Sequence, residues 1–228
     1  MDFNPFEERI GVRFKDKRLL ETAFTHRSYL NENRRAGAEH NERLEFLGDA
    51  VLELAVTEYL YAKYPAKPEG ELTAFRAALV NTQSIAEAAI TLGMNEFLLL
   101  SRGEAKDTGR ARNIILANAF EAVIGAIYLD QGYKPAYDFI DAQLFHKTDD
   151  VVEKRLWQDA KSKFQELAQE KVAVTPTYEL ASQSGPDHNK TFVVAAYLGR
   201  EKIALGEGRS KQEAEQDAAQ KALVAKGW

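Results

Sequence analysis

The 228-residue chain is 45% apolar, carries a net charge of −5 and has no cysteine. That is enough for one large core or two modest ones, and it excludes disulfides and thiolate metal sites. The acidic balance argues against nucleic-acid binding through overall charge, because that binding draws on Lys and Arg facing phosphates. The opening MDFNPFEERIG has no apolar signal region, and the most apolar stretch, 119–129, is too short for a bilayer, so a soluble, cytoplasmic protein is expected.

Residues 1–147 read as almost entirely helical. Short helices are expected over 2–10 and 16–24, followed by Thr25-His26-Arg27-Ser28-Tyr29. No nucleophile neighbours His26 in sequence, so it is expected to be structural. A polar loop over 31–38 precedes the run His40-Asn41-Glu42-Arg43-Leu44-Glu45-Phe46-Leu47-Gly48-Asp49-Ala50-Val51-Leu52, whose apolar residues recur at three- and four-residue steps. This pattern reads as a buried helix, continuing to Lys63 and stopped by Pro65 and Pro68. Glu42, Glu45 and Asp49 stand at i, i+3 and i+7, within about a 60° sector of one face. Spacing alone allows either a solvated acidic face or a cation site. The apolar flanks Leu44, Phe46, Leu47, Val51 and Leu52 make an unneutralised acidic cluster costly.

Glu69 and Glu71 open the next helix, where the helix dipole favours acidic side chains. Helix is expected over 75–79 and 84–92, then a polar loop over 101–113 with Arg102, Lys106, Arg110 and Arg112. A second long helix, 114–129, carries Asn118 and Glu121 at i, i+3, so both project the same way. Ala117, Ala119, Ala122, Gly125 and Ala126 keep it slim, which lets a neighbour approach closely. Glu121 in so apolar a run needs a partner. Together with Glu45, Asp49 and Asn118 it would offer the oxygen ligands that Mg²⁺ or Mn²⁺ prefers. A di-iron bundle would need Glu-x-x-His pairs, and none of His26, His40, His146 and His188 follows a Glu at that spacing.

After a charged stretch with short helical character, HKTDDVVEKRLWQ, the grammar changes. An amphipathic helix over 159–171 turns Phe164, Leu167 and Ala168 inward. Alternating segments over 177–182, 191–198 and 202–207 read as antiparallel strands, and a helix over 210–225 begins at Ser210. From Asp159 onward ten basic side chains meet ten acidic ones, so the acidic excess lies in the first part. The expected architecture is an all-α domain over 1–147, a linker over 148–157 and a small α+β module, α-β-β-β-α, over 158–228.

HNERLEFLGDAVL closely resembles the signature helix of the ribonuclease III family, endonucleases of double-stranded RNA, and the resemblance covers nearly all of the chain. KSKFQE (161–166), GPDHNK (185–190) and GEGRSKQEAEQDAA (206–219) resemble, in order, a double-stranded-RNA-binding domain. The first resemblance implies Mg²⁺-dependent hydrolysis, with Mn²⁺ as a possible substitute, to 5′-phosphate and 3′-hydroxyl ends. Glu45, Asn118, Glu121 and Asp49 would hold the metal, Asp49 and Glu121 being catalytic, with Glu42 and Glu69 as secondary acidic positions. It implies a homodimer that cuts opposite strands and acts on ribosomal and other precursor RNAs. The second implies minor-groove contacts from Gln165, Glu166 and His188 and a phosphate contact from Lys211, with Lys190 and Ser210 in the same RNA-facing set.

Two departures matter. Asn118 stands where the family commonly has Asp, which suggests reduced metal affinity or a protein that binds without cutting. Gln212 and Glu213 follow Lys211 where basic residues are usual, so weaker RNA binding with a shallow salt dependence is expected. A purely structural adaptor is the third class; it would lack affinity for duplex RNA.

Overall fold

The computed structural model describes residues 2–33, 39–155, 157–186 and 190–228. They form two compact units, Met1–Trp157 and Gln158–Trp228.

The first unit is helical: α1 (Asn4–Ile10), α2 (Lys17–Phe24), α3 (Arg27–Glu32), α4 (Glu42–Lys63), α5 (Glu69–Leu79), α6 (Thr82–Thr91), α7 (Arg110–Gln131), α8 (Tyr133–Leu144) and α9 (Thr148–Glu153). Short polar side chains fix several starts: Asp16 accepts from the Arg18 amide and Asn81 from the Ser84 amide, satisfying donors that a helix leaves unpaired. The unit is built around α7, which packs against α2, α4, α6 and α8. Leu116, Phe120, Val123, Ile124 and Ile127 on α7 are all buried. By length and composition α7 could cross a membrane, but most of it is buried inside this unit.

On α4 the buried stripe is Leu44, Gly48, Val51, Leu52, Ala55, Val56 and Leu60. One glycine on each helix, Gly48 on α4 and Gly125 on α7, sets how closely the two approach. A Cβ on Gly48 would lie 1.7 Å from the Glu121 carbonyl oxygen, and one on Gly125 would lie 2.3 Å from the Leu44 carbonyl oxygen. The two backbones therefore touch where they cross, which only glycine permits.

At the edge of this core, Phe3, Phe6, Phe24 and Phe97 form a cluster with ring centroids 4.9–6.1 Å apart. Burying each such ring is worth about 1.5–3 kcal/mol. Beside it, the buried carboxylate of Glu7 accepts from the Phe14 amide at 2.9 Å and from Lys17. Asp130 at the end of α7 accepts from the amides of Lys15 and Asp16, both at 2.9 Å.

Two expectations change here. Phe46, read as part of a buried helix, is 81% exposed. It lies two residues beyond Leu44, about 200° around the helix, and so points away from α7. The stretch 148–157, expected to be a linker with short helical character, does hold the short helix α9, but Thr148 and Val151 are buried and Trp157 is edge-on to Phe75 at 5.1 Å, so it belongs to the first unit.

The second unit is α10 (Ala160–Val172), β1 (Pro176–Ser184), β2 (Thr191–Leu198), β3 (Glu201–Gly208) and α11 (Lys211–Lys226). The strands form one antiparallel sheet in the order β1-β2-β3, with Leu180 opposite Val194 and Val194 opposite Gly206. Phe164 of α10, Ala196 of β2 and Ala218, Ala219, Ala222 and Leu223 of α11 make its core. Small residues set the spacing again, since a Cβ on Gly206 would lie 2.1 Å from the Ala218 amide nitrogen. Asp159 and Ser210 cap α10 and α11 through the amides of Ser162 and Glu213.

Candidate active site and RNA-facing elements

The crossing of α4 and α7 brings together oxygen-bearing side chains more than sixty positions apart. Glu45 is half-buried and Asp49 exposed on α4; Asn118 and Glu121 are half-buried on α7. Burial raises the Glu45 carboxyl above its usual range, the charges of Glu42 and Asp49 add to this, and a hydrogen bond with Asn118 opposes it. Glu121 is displaced further, to about 8, first by burial and then by the charges of Asp49, Glu45 and Glu53. Buried carboxylates crowded by like charges do move in this direction. Among the described residues no basic side chain pairs with Glu45, Asp49 or Glu121.

The secondary acidic positions are placed differently. Glu42 lies 3.7 Å from Arg27 and 3.8 Å from the His40 imidazole. Glu69 is in the first turn of α5 and accepts from the Thr73 hydroxyl at 3.0 Å. It also lines a groove of about 450 Å³ between α4 and α5, with Tyr61, Leu72 and Arg76. His26 caps α3, its Nδ1 accepting from the Ser28 amide, while the Ser28 hydroxyl oxygen accepts from the Ser101 amide at 3.0 Å. Burial lowers its pKa, in keeping with a neutral structural imidazole.

The donor set fits a hard divalent cation in its chemistry: three carboxylates and one amide oxygen, with a surplus of negative charge. Among the described residues, however, no three Asp, Glu or His side chains converge closely enough to hold an ion as they stand. Sequence reasoning missed Glu53 and Arg76. Glu53 follows Asp49 by four residues on α4, and Arg76 Nε of α5 bonds its carboxylate at 2.7 Å. The i, i+4 spacing from Asp49 was the available signal for Glu53; nothing local pointed to Arg76.

In the second unit Gln165 and Glu166 are exposed on α10, beside a groove of about 480 Å³ shared with Ser162, Gln169 and Glu170. Lys190 is half-exposed just before β2, and His188 lies outside the described residues. Ser210 accepts from the Glu213 amide at 3.1 Å, and Lys211, next in the chain, is exposed. Further along α11, Glu215 is tied to Lys161 at 2.5 Å.

Comparison with known proteins bears on the two units as wholes. Residues 16–148 match the family described as "Ribonuclease-III-like", and residues 160–224 match "Double-stranded RNA binding motif". Ribonuclease 3 of Bacillus licheniformis is 48% identical over 222 residues, spanning 97% of this chain and 89% of that protein. Ribonuclease 3 of Oceanobacillus iheyensis is 46% identical over 223 residues, 98% and 97% of the two chains. The nuclease domain of ribonuclease III from Campylobacter jejuni, in a structure concerned with flexibility of a region involved in dimer formation, is similar to 62% of this chain. That similarity covers 98% of the Campylobacter domain, with a TM-score of 0.56 and 41% identity. A helical nuclease domain followed by a double-stranded-RNA-binding module defines an endoribonuclease that acts on double-stranded RNA. The chain belongs to the ribonuclease III family.

Proposed function

We infer that this endoribonuclease hydrolyses duplex RNA with a divalent cation, Mg²⁺ or Mn²⁺, held by Glu45, Asp49, Asn118 and Glu121. The observation that carries this reading is the Glu121 carboxylate, half-buried and under the charges of Asp49 and Glu45, with no basic partner among the described residues. When bound, such a cation supplies hydroxide near neutral pH and offsets the charge that builds on phosphoryl oxygens. Glu121 and Asp49 would orient the attacking water. Asn118 contributes a neutral oxygen and steadies Glu45 through their hydrogen bond. Because water attacks rather than the 2′-hydroxyl, the products carry 5′-phosphate and 3′-hydroxyl ends.

Glu42 and Glu69 help place RNA or support dimer contacts. Gln165, Glu166 and His188 meet minor grooves, while Lys211, with Lys190 and Ser210 nearby, meets the phosphates between them. The acting form is a homodimer, which brings two sites to opposite strands. The outward face of α4, with Phe46 81% and Tyr61 75% exposed, supplies apolar area for that contact. Sedimentation that shows a dimer for the wild type and a monomer for Phe46→Asp is the expected result; a wild-type monomer refutes the pairing. Ribosomal and other precursor RNAs in the cytoplasm are the natural substrates.

The test compares the wild-type chain, Asn118→Asp and Glu121→Gln on duplex RNA across a Mg²⁺ titration. Wild type is expected to cut and Glu121→Gln to bind without cutting. Asn118→Asp should need less Mg²⁺, because a charged ligand replaces a neutral one. Equal inactivity of wild type and Glu121→Gln would sink the catalytic reading in favour of binding alone.

A further inference from the structure

The acidic row on α4 is longer than its catalytic part. Glu42, Glu45, Asp49 and Glu53 follow one another at steps of three, four and four residues, which keeps all four on one flank of the helix. The two ends of the row are treated differently from its middle. At one end Glu42 lies 3.7 Å from Arg27. At the other, Arg76 Nε bonds Glu53 at 2.7 Å while Arg76 Nη1 donates to Thr57 Oγ1 at 2.8 Å. Between them Glu45 and Asp49 have no basic partner among the described residues.

Glu53 is not remote from the site. One helical turn, about 5.4 Å of rise, separates it from Asp49. Left unpaired, it would join the carboxylates available to a cation. Arg76 prevents this with a planar fork that reaches two acceptors on successive turns of α4, a geometry that Lys cannot supply. Both side chains are only about one-third exposed, 34% for Arg76 and 38% for Glu53, so water competes for the pair less than it would on an open surface.

We propose that Arg76 is a positioning residue that withholds Glu53 from the metal-binding set and fixes the charge felt by the cation at Glu45, Asp49, Asn118 and Glu121. This inference rests on the divalent-cation reading given above. As a pair, Arg76 and Glu53 add no net charge. Removing Arg76 leaves one negative charge near the site, and removing the Glu53 charge leaves one positive charge. A unit charge roughly 10 Å from a dication changes its affinity about fourfold even with water-like screening.

The experiment is a Mn²⁺ titration of the full chain without RNA, at low ionic strength and pH 8, following free Mn²⁺ by electron paramagnetic resonance. Wild type, Arg76→Ala, Glu53→Gln and the double variant are compared, with thermal melting recorded alongside. Arg76→Ala is expected to bind Mn²⁺ about fourfold more tightly, Glu53→Gln about fourfold more weakly, and the double variant as wild type does. A strut that merely joins α5 to α4 would lower the melting temperature and leave the four affinities equal, which overturns the inference alone. Single changes that shift affinity in the same direction overturn it as well. Should Arg76→Ala not fold, the near-isosteric Glu53→Gln still decides, since an unchanged affinity in that variant is fatal to the inference. A wild-type chain that binds no Mn²⁺ overturns both the inference and the cation reading beneath it.

Discussion

Replacing Gly48 with Ala would put a methyl group 1.7 Å from the Glu121 carbonyl oxygen and 2.9 Å from the Gly125 amide nitrogen. Both obstacles are backbone, so no side chain can rotate out of the way. Restoring ordinary contact requires α4 and α7 to move apart by about 1.5–2 Å. Overpacking of this kind costs about 1–3 kcal/mol of stability. The same displacement separates Glu45 and Asp49 from Asn118 and Glu121, and a misplacement of about 1 Å can cost about 100-fold in rate. Urea unfolding followed by circular dichroism would measure the first effect, and single-turnover cleavage of a duplex RNA the second. Gly70→Ala is the control: it lies in α5, a Cβ there meets nothing within 4 Å, and the added methyl should be neutral or slightly stabilising. Wild-type stability and cleavage in Gly48→Ala would refute the reasoning, because the helices would then have slack that the close crossing denies.

Two further outcomes follow from the charges. With the cation absent, the Glu121 carboxyl keeps its proton in the folded chain up to about pH 8, whereas the unfolded chain sheds it near 4.5. The folded form therefore loses stability as pH rises across that window. The urea midpoint of wild type relative to Glu121→Gln should fall from pH 5 to pH 8, and added Mg²⁺ should reverse the fall; a relative midpoint that rises would contradict the assignment. On duplex RNA, the affinity should fall with a log–log salt slope no steeper than about −3 to −4, as for three or four phosphate contacts. Lys211 is followed by Gln212 and Glu213, and Glu215 is occupied with Lys161; a slope of about −6 or steeper would show a larger basic surface than these residues supply.

Much of this was legible in the sequence because the signals were local. The i, i+3, i+7 spacing of Glu42, Glu45 and Asp49 survives as one flank of α4, and the slim Ala/Gly run around Glu121 does mark a close helix crossing. The α-β-β-β-α order of the second unit follows from alternation and from Ser210, a cap whose oxygen accepts from the Glu213 amide. What escaped depends on partners distant in the chain. Phe46 sits in an apolar run, and only the position of α7 decides which side of α4 faces the core. Residues 148–157 are polar enough to read as a connector, yet Val151 and Trp157 find apolar partners in the first unit. Arg76 gives no local hint of its role because Glu53 and Thr57 are on another helix.

The central position of α7 also governs how the enzyme can fail. Asn118 and Glu121 ride on a helix that packs against α2, α4, α6 and α8, so local fraying at the chain ends leaves them in place. Their amide hydrogens should exchange with solvent only when the whole helical unit opens. Mild heat or denaturant should therefore abolish cleavage and unit structure together, with no intermediate that is folded but catalytically disarranged.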